Sequence, residues 1–170
     1  VLEMVSDEDV DRLVQDLARE AEAGGYRLNP DRVFTRALVR GLLSNRERYG
    51  YISCPCRLAS GNREDDLDII CPCDYRDLDL TEYGACYCGL YVTADVEAGV
   101  RTAAPVPERR PSPAERRQKK EERPGTVGAP RDLKYPVWRC RVCGYLCARG
   151  EPPDTCPICR VSRDRFERFV

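Results

Sequence analysis

Val10, Leu13, Val14 and Leu17 recur at i, i+3, i+4 and i+7, a spacing that lines one face of an amphipathic helix. Ser6 with Asp9 three residues on resembles a capping box at its start, and Gly24-Gly25 ends it. Asn29-Pro30 is a second start signal, an N-cap followed by proline at the first helical position. Val33, Phe34, Ala37, Leu38, Val39 and Leu42 carry this second helix toward Arg46. Both helices read as core scaffold.

After Gly50 the helical period is lost. Cys54-Pro55-Cys56 and Cys71-Pro72-Cys73 each contain a proline, which fixes φ and lacks an N–H, so neither unit belongs inside a regular helix. The sequence predicts a short helix over 62–70 with an acidic first turn, and another over 74–83 that Gly84 ends. The cysteine pairs therefore fall at helix ends and in loops, where three of them can converge on one point.

Six prolines fall between Pro105 and Pro130, and Glu108 to Arg123 holds seven basic and four acidic residues with almost nothing apolar. Such a run buries too little surface to offset its ordering entropy. It is a connector, either a solvated helix around 114–122 or extended chain. The expected organisation is one domain over 1–100, a Pro/charge-rich linker over 101–133 and a second domain over 134–170. That last unit, about 37 residues, is too small to hold itself together without a metal or an equivalent staple.

Charge divides the chain in the same place. Residues 1–100 carry 20 acidic side chains against 11 arginines, a net of −9, and residues 101–170 carry 17 basic against 9 acidic, a net of +8. The basic half either recruits an acidic partner or docks on its own acidic half; two solvated surfaces of opposite sign fit the counts equally well. Acids interrupt the basic run and aromatics are missing from it, which argues against nucleic acid. No run of about 18 apolar residues offers a membrane span, and Glu3, Asp7, Glu8 and Asp9 break up any apolar leader. The expected compartment is cytoplasmic.

Eleven cysteines and no histidine, without a secretion signal, favour metal or redox chemistry over a disulfide framework. Sulfur-only ligation points to iron–sulfur, iron or zinc. The cysteines form two arrays. The first is Cys54/Cys56, Cys71/Cys73 and Cys86/Cys88. A cubane cluster uses four thiolates, so two of these six remain, and a dithiol–disulfide couple beside a one-electron cluster is the natural hypothesis. The alternative is a pair of zinc sites or buried inert thiols, although one-residue spacing is tight for a shared tetrahedral ion.

SCPCRLA at 53–59, IICPCDY at 69–75 and CYCGLYV at 86–92, with the acidic helices upstream, resemble the catalytic subunit of ferredoxin:thioredoxin reductase over roughly residues 5–95. The resemblance implies a mostly α catalytic domain with a [4Fe-4S] cluster next to a redox-active disulfide. Carried over, the cluster ligands are Cys54, Cys71, Cys73 and Cys86, and the catalytic pair is Cys56 and Cys88. It further implies a disulfide reductase that takes single electrons from ferredoxin or another low-potential donor and reduces a thioredoxin-like protein. Cys56 attacks the substrate disulfide, and Cys88 stays against the cluster until a second electron frees it to resolve the mixed disulfide.

One departure matters. Where the family has a histidine within the last pair, this chain has Tyr87. An unperturbed tyrosine is a poor acid–base catalyst at neutral pH. The proton role falls to a hydrogen bond from Tyr87, to a carboxylate such as Glu82 or Asp74, or to water; the plainer reading is that Tyr87 packs over the cluster. Arg57 follows Cys56 directly. It either activates that thiol or makes a surface ion pair with the acidic loop at 64–66.

The second array, Cys140-x2-Cys143 and Cys156-x2-Cys159, is a two-knuckle tetrathiolate site with Cys147 left over. Gly144 relieves crowding after the first knuckle and Pro157 stiffens the second. The stretch WRCRVCGYLCARGEPPDTCPICRVSRDRFERF at 138–169 resembles rubredoxin in the short-loop form that ends rubrerythrins. It implies a small β/loop domain holding one mononuclear iron, with zinc as the alternative in the same site. Cys147 reads as a small semi-buried apolar residue. The rival for the whole chain is a non-catalytic redox-sensing or assembly module with a zinc ribbon.

Overall fold

A computed structural model describes residues 5–121 and 133–169. It divides into two compact units, one ending at Pro107 and the other starting at Glu108. Residues 122–132, the later part of the expected linker, lie outside the described residues. Among the described residues, no helix is long and apolar enough to cross a membrane.

The first unit is built on two long helices, α1 (Asp7–Ala23) and α2 (Arg32–Tyr49). Ser6 caps α1 by accepting the Asp9 N–H at 3.1 Å, and its hydroxyl donates to the Asp9 carboxylate at 2.6 Å. The start of α2 differs from expectation. Asp31, not Asn29, is the cap, accepting the Phe34 N–H at 3.0 Å. Asn29 is used otherwise: its backbone N–H donates to Leu90 O at 2.9 Å and its side-chain amide to Gly89 O at 2.9 Å. Those long-range bonds displace the helix start by two residues. Val10, Leu17 and Ala21 pack with Leu38, Val39, Leu42 and Leu43 in one core, joined by Leu80, Leu90, Tyr26 and Tyr91. Burial of each such aliphatic side chain stabilises by roughly 1.5–3 kcal/mol.

Between these helices and the rest of the unit runs a two-stranded antiparallel ladder, β1 (Arg27–Leu28) with β2 (Tyr91–Val92). Two short helices follow the cysteine-bearing loops, α3 (Arg76–Tyr83) and α4 (Ala94–Glu97). Gly84 ends α3 at φ 80, and its N–H caps Leu80 O at 3.0 Å. The helix expected over 62–70 does not form. A turn at 62–66 leads into one 3-10 turn, Leu67–Ile69. The reason is Asp66, which is fully buried and accepts the Ser60 N–H at 2.6 Å, the Gly61 N–H at 3.3 Å and the Tyr51 hydroxyl at 2.7 Å. A carboxylate engaged by upstream backbone folds the segment back on itself and competes with helical pairing. The unit does not end at residue 100: the Ala104 N–H donates to Tyr83 O at 3.0 Å and Arg101 donates to Glu82 O at 3.1 Å.

The second unit includes α5 (Pro113–Glu121), so the expected connector is helical over 113–121 and not over 101–112. Ser112 and Glu115 form a reciprocal capping box at its start, with bonds of 2.7 and 3.3 Å. Three short strands then form an antiparallel sheet. The central strand, β3 (Val137–Cys140), lies between β4 (Leu146–Ala148) and β5 (Phe166–Arg168). Its small core holds Cys140, Val142, Cys156, Cys159, Val161 and Phe166.

Candidate functional site: two thiol arrays

In the first unit, backbone pairing brings the three cysteine pairs together. Ser53 and Ile70 form an antiparallel bridge, and the Cys54 N–H donates to Ile69 O at 2.8 Å while the Cys71 N–H donates to Ile52 O at 2.9 Å. The two Cys-Pro-Cys segments therefore run side by side. The first is pressed on α2 at Gly41, where a Cβ would lie 2.9 Å from the Pro55 ring. The third pair sits on a tight turn closed by the Gly89 N–H to Cys86 O at 2.7 Å, with the Cys86 N–H to Tyr91 O at 2.9 Å. Gly89 has φ 74, a backbone that glycine adopts freely.

Burial sorts the six thiols. Cys54, Cys73 and Cys86 are buried, Cys71 and Cys88 are half-buried, and Cys56 alone is exposed. Cys88 Sγ is 3.7 Å from Cys86 Sγ, and Cys54 and Cys56 lie near enough to influence its titration. Those three neighbours, with burial, push the Cys88 thiol well up. The same contacts lower Cys54 and Cys86 and bring Cys56 down to about 7, with the Arg57 charge adding to the effect at Cys56. Burial pushes Cys73 up to about 12 and Cys71 well above its ordinary value; Cys71 also feels Cys54, Cys73 and Cys86 as like charges. Cys54, Cys71, Cys73 and Cys86 are thus electrostatic neighbours.

Donors surround these sulfurs. The Tyr91 N–H donates to Cys86 Sγ at 3.3 Å and Arg57 Nη1 donates to Cys73 Sγ at 3.3 Å, while Cys71 Sγ itself donates to Tyr91 Oη at 3.6 Å. Four clustered thiols with N–H and cationic donors aimed at sulfur suit a thiolate-bound iron–sulfur cluster, which such donors stabilise. Arg57 is buried, only 6% exposed. Its guanidinium carbon lies 4.8 Å from the Tyr75 ring centroid and 4.3 Å from that of Tyr87. Tyr87 therefore packs on a cation. The contribution of Tyr91 was not legible beforehand, because no spacing rule marks a tyrosine that meets a cysteine from another pair; Tyr75 enters only through the Arg57 it packs on.

In the second unit, the Sγ atoms of Cys140, Cys143, Cys156 and Cys159 all lie within 4.8 Å of one another. The two knuckles are alike. In one, the Gly144 N–H donates to Cys140 O at 2.9 Å; in the other, the Arg160 N–H donates to Cys156 O at 3.0 Å. Gly144 has φ 78 and Arg160 has φ 61, so both residues after the knuckles are left-handed. Cys140 is brought down to about 5, first by its bond with Cys159 and then by backbone N–H groups of Cys143 and Val142. A closed group of four thiolates fits one tetrahedral ion, iron or zinc. Cys147 stands opposite Trp138 across the β3–β4 ladder, half-buried and packed against the small core.

Two separate sulfur sites, without a histidine between them, define a protein whose chemistry runs through thiolates and the metals they bind. The family model for the ferredoxin thioredoxin reductase catalytic beta chain matches residues 3–108, and that for the rubredoxin-like domain of rubrerythrin matches residues 138–167. The chain belongs to the ferredoxin thioredoxin reductase catalytic beta chain family and carries a rubredoxin-like domain at its C-terminal side. No curated protein matches it.

Proposed function

We propose that this chain is an iron–sulfur disulfide reductase that accepts single electrons from ferredoxin, from the rubredoxin-like iron, or from both, and reduces a thioredoxin-like protein. Cys54, Cys71, Cys73 and Cys86 hold a [4Fe-4S] cluster; Cys140, Cys143, Cys156 and Cys159 hold one iron. The observation that carries this reading is the contrast within the remaining pair. Cys56 is exposed, and Cys88 is half-buried with its Sγ 3.7 Å from Cys86 Sγ.

When bound, the cluster supplies electrons one at a time. The rest is thiol chemistry. Cys56 is the sulfur that a protein disulfide can reach. As a thiolate it attacks one sulfur of that disulfide, forms the mixed disulfide and releases the other as a thiol. Cys88 then attacks Cys56 Sγ, freeing the second substrate thiol and closing Cys56–Cys88. Two electrons and two protons return the pair to the dithiol, so each turnover balances. The tethered second unit passes electrons toward the first, at an effective concentration that a flexible linker sets on the order of mM. The acidic charge common in ferredoxins matches the net +8 of residues 101–170.

The test is anaerobic purification followed by counts of iron, zinc and inorganic sulfide and a visible spectrum. Bound sulfide with iron above one per chain is the expected result. Zinc without sulfide would leave the assembly or sensing module as the better reading. A Cys56→Ser protein that still reduces thioredoxin would remove the nucleophile assignment while leaving the cluster intact. Deletion of residues 101–170 without loss of donor-driven rate would remove the electron-delivery role of the second unit.

A further inference from the structure

One cation touches all three cysteine pairs. Arg57 follows Cys56 of the first pair. Its Nη1 donates to Cys73 Sγ of the second at 3.3 Å. Its guanidinium stacks on Tyr87, the middle residue of the third, at 4.3 Å, and on Tyr75, two residues beyond Cys73, at 4.8 Å. The group is buried, with 6% of its surface exposed. Arginine stays protonated at any accessible pH and its planar guanidinium stacks on rings. A desolvated cation on two ring faces is held in place by the ring quadrupoles. An imidazolium at position 87 would oppose that cation with a like charge; the Tyr87 ring faces it with π electrons.

We propose that Arg57, caged between Tyr75 and Tyr87, is a positioning residue that fixes one permanent positive charge beside the three-pair array and so raises the reduction potential of the cluster. This rests on the reading that Cys54, Cys71, Cys73 and Cys86 bind that cluster. The physical basis is simple. Adding an electron to a thiolate-ligated cluster makes it more negative, and a nearby fixed cation in a poorly solvated site favours the more negative form. Hydrogen bonds to ligand sulfur act in the same direction. The charge is carried by a guanidinium, so it does not titrate across the physiological range as a histidine would. Tyr87 acts through Arg57: its ring holds the guanidinium against Cys73.

The test uses the full chain, purified without oxygen, as wild type, Arg57→Gln, Arg57→Lys, Tyr87→Phe and Tyr87→Leu. Iron and sulfide are counted in each, and the midpoint of the cluster is read by redox titration under visible absorption. Arg57→Gln is expected to move the midpoint to more negative potential. Tyr87→Leu is expected to move it the same way by less, and Tyr87→Phe, which keeps the ring, to leave it in place. Arg57→Lys keeps a charge without the stacked plane and is expected to fall between wild type and Arg57→Gln. A wild-type midpoint in Arg57→Gln at full sulfide content would overturn the proposal. Should Arg57→Gln lose its sulfide, unshifted midpoints in both Arg57→Lys and Tyr87→Leu would overturn it instead. A wild-type protein without sulfide would overturn the cluster reading first, and this inference with it.

Discussion

The two sulfur sites are built by opposite means. In the second unit, the site is local. Each knuckle is a five-residue turn closed by its own backbone hydrogen bond, Gly144 N–H to Cys140 O and Arg160 N–H to Cys156 O. Two such turns facing each other complete the four-thiol group. In the first unit, almost nothing is local. The first two pairs are aligned by a bridge between Ser53 and Ile70, the third is anchored by Asn29 about 60 residues away, and the charge between them comes from a buried arginine. A small unit whose core is its metal site must fold around that site. A larger unit with its own helical core can hold thiols in reserve for chemistry.

That contrast can be broken at several points, and the largest effect is expected in the small unit. Cys156→Ser should cost the second unit its metal and its fold, because structural metal binding contributes on the order of 10 kcal/mol to such domains. Loss of its signals by NMR, with the helical circular dichroism of the first unit retained, is the expected result. A folded second unit in that variant would remove the claim that its core depends on the metal.

Next in size is Gly41→Val, aimed at the first unit. An alanine there would already bring Cβ to 2.9 Å from Pro55, and the branched side chain adds more. The expected cost is about 1–3 kcal/mol, in line with overpacking. The sulfide content of the first array should fall while the metal content of the second stays at the wild-type level.

Tyr51→Phe removes the hydroxyl that donates to buried Asp66 at 2.7 Å. A bond to a charged acceptor of this kind is worth about 1.5–3 kcal/mol, read as a lower urea midpoint. The alkaline limb adds a sign test. Burial, and then the hydrogen bond to Asp66, push Tyr51 up to about 12. A raised pKa favours the protonated phenol in the folded state. Its contribution is therefore complete below the ordinary value near 10 and is lost as pH rises through about 12. Tyr51→Phe should flatten the loss of stability over that window.

The smallest expected effect is a gain. Arg160 holds φ 61 without being glycine, a conformation that costs an ordinary L-residue roughly 1–2 kcal/mol. Arg160→Gly should raise the thermal midpoint of the second unit, less the entropy that glycine adds to the unfolded chain. A lower midpoint would show that the arginine side chain matters more than the backbone.

The same contrast explains what could be read in the sequence. The knuckle array was legible as a site because its geometry is set within a few residues. Helices α1 and α3 were legible through apolar spacing, the Ser6 cap and the Gly84 stop. The start of α2 and the 62–70 segment were not. In each, a polar side chain that looked like a local cap or helix former was committed elsewhere: Asn29 to the turn at Gly89, Asp66 to the backbone at Ser60 and Gly61. The choice between a surface and a buried Arg57 was likewise undecidable from neighbours alone. Its partners, Tyr75 and Tyr87, arrive from different loops.

Gly41 and Phe34 lie seven residues apart on α2. Pro55 of the first cysteine pair rests on the former, and Gly89, which follows the third pair, comes to 3.2 Å from the ring of the latter when a Cβ is placed on it. Seven residues are nearly two whole turns, so both contacts fall on one face, about 10 Å apart along the axis. The helix thus serves as a ruler for the loops that carry Cys56 and Cys88. Insertion of a single residue between positions 34 and 41 would swing one mark by about 100° and put the two loops out of step. The spacing of Cys56 and Cys88 is written in helical pitch.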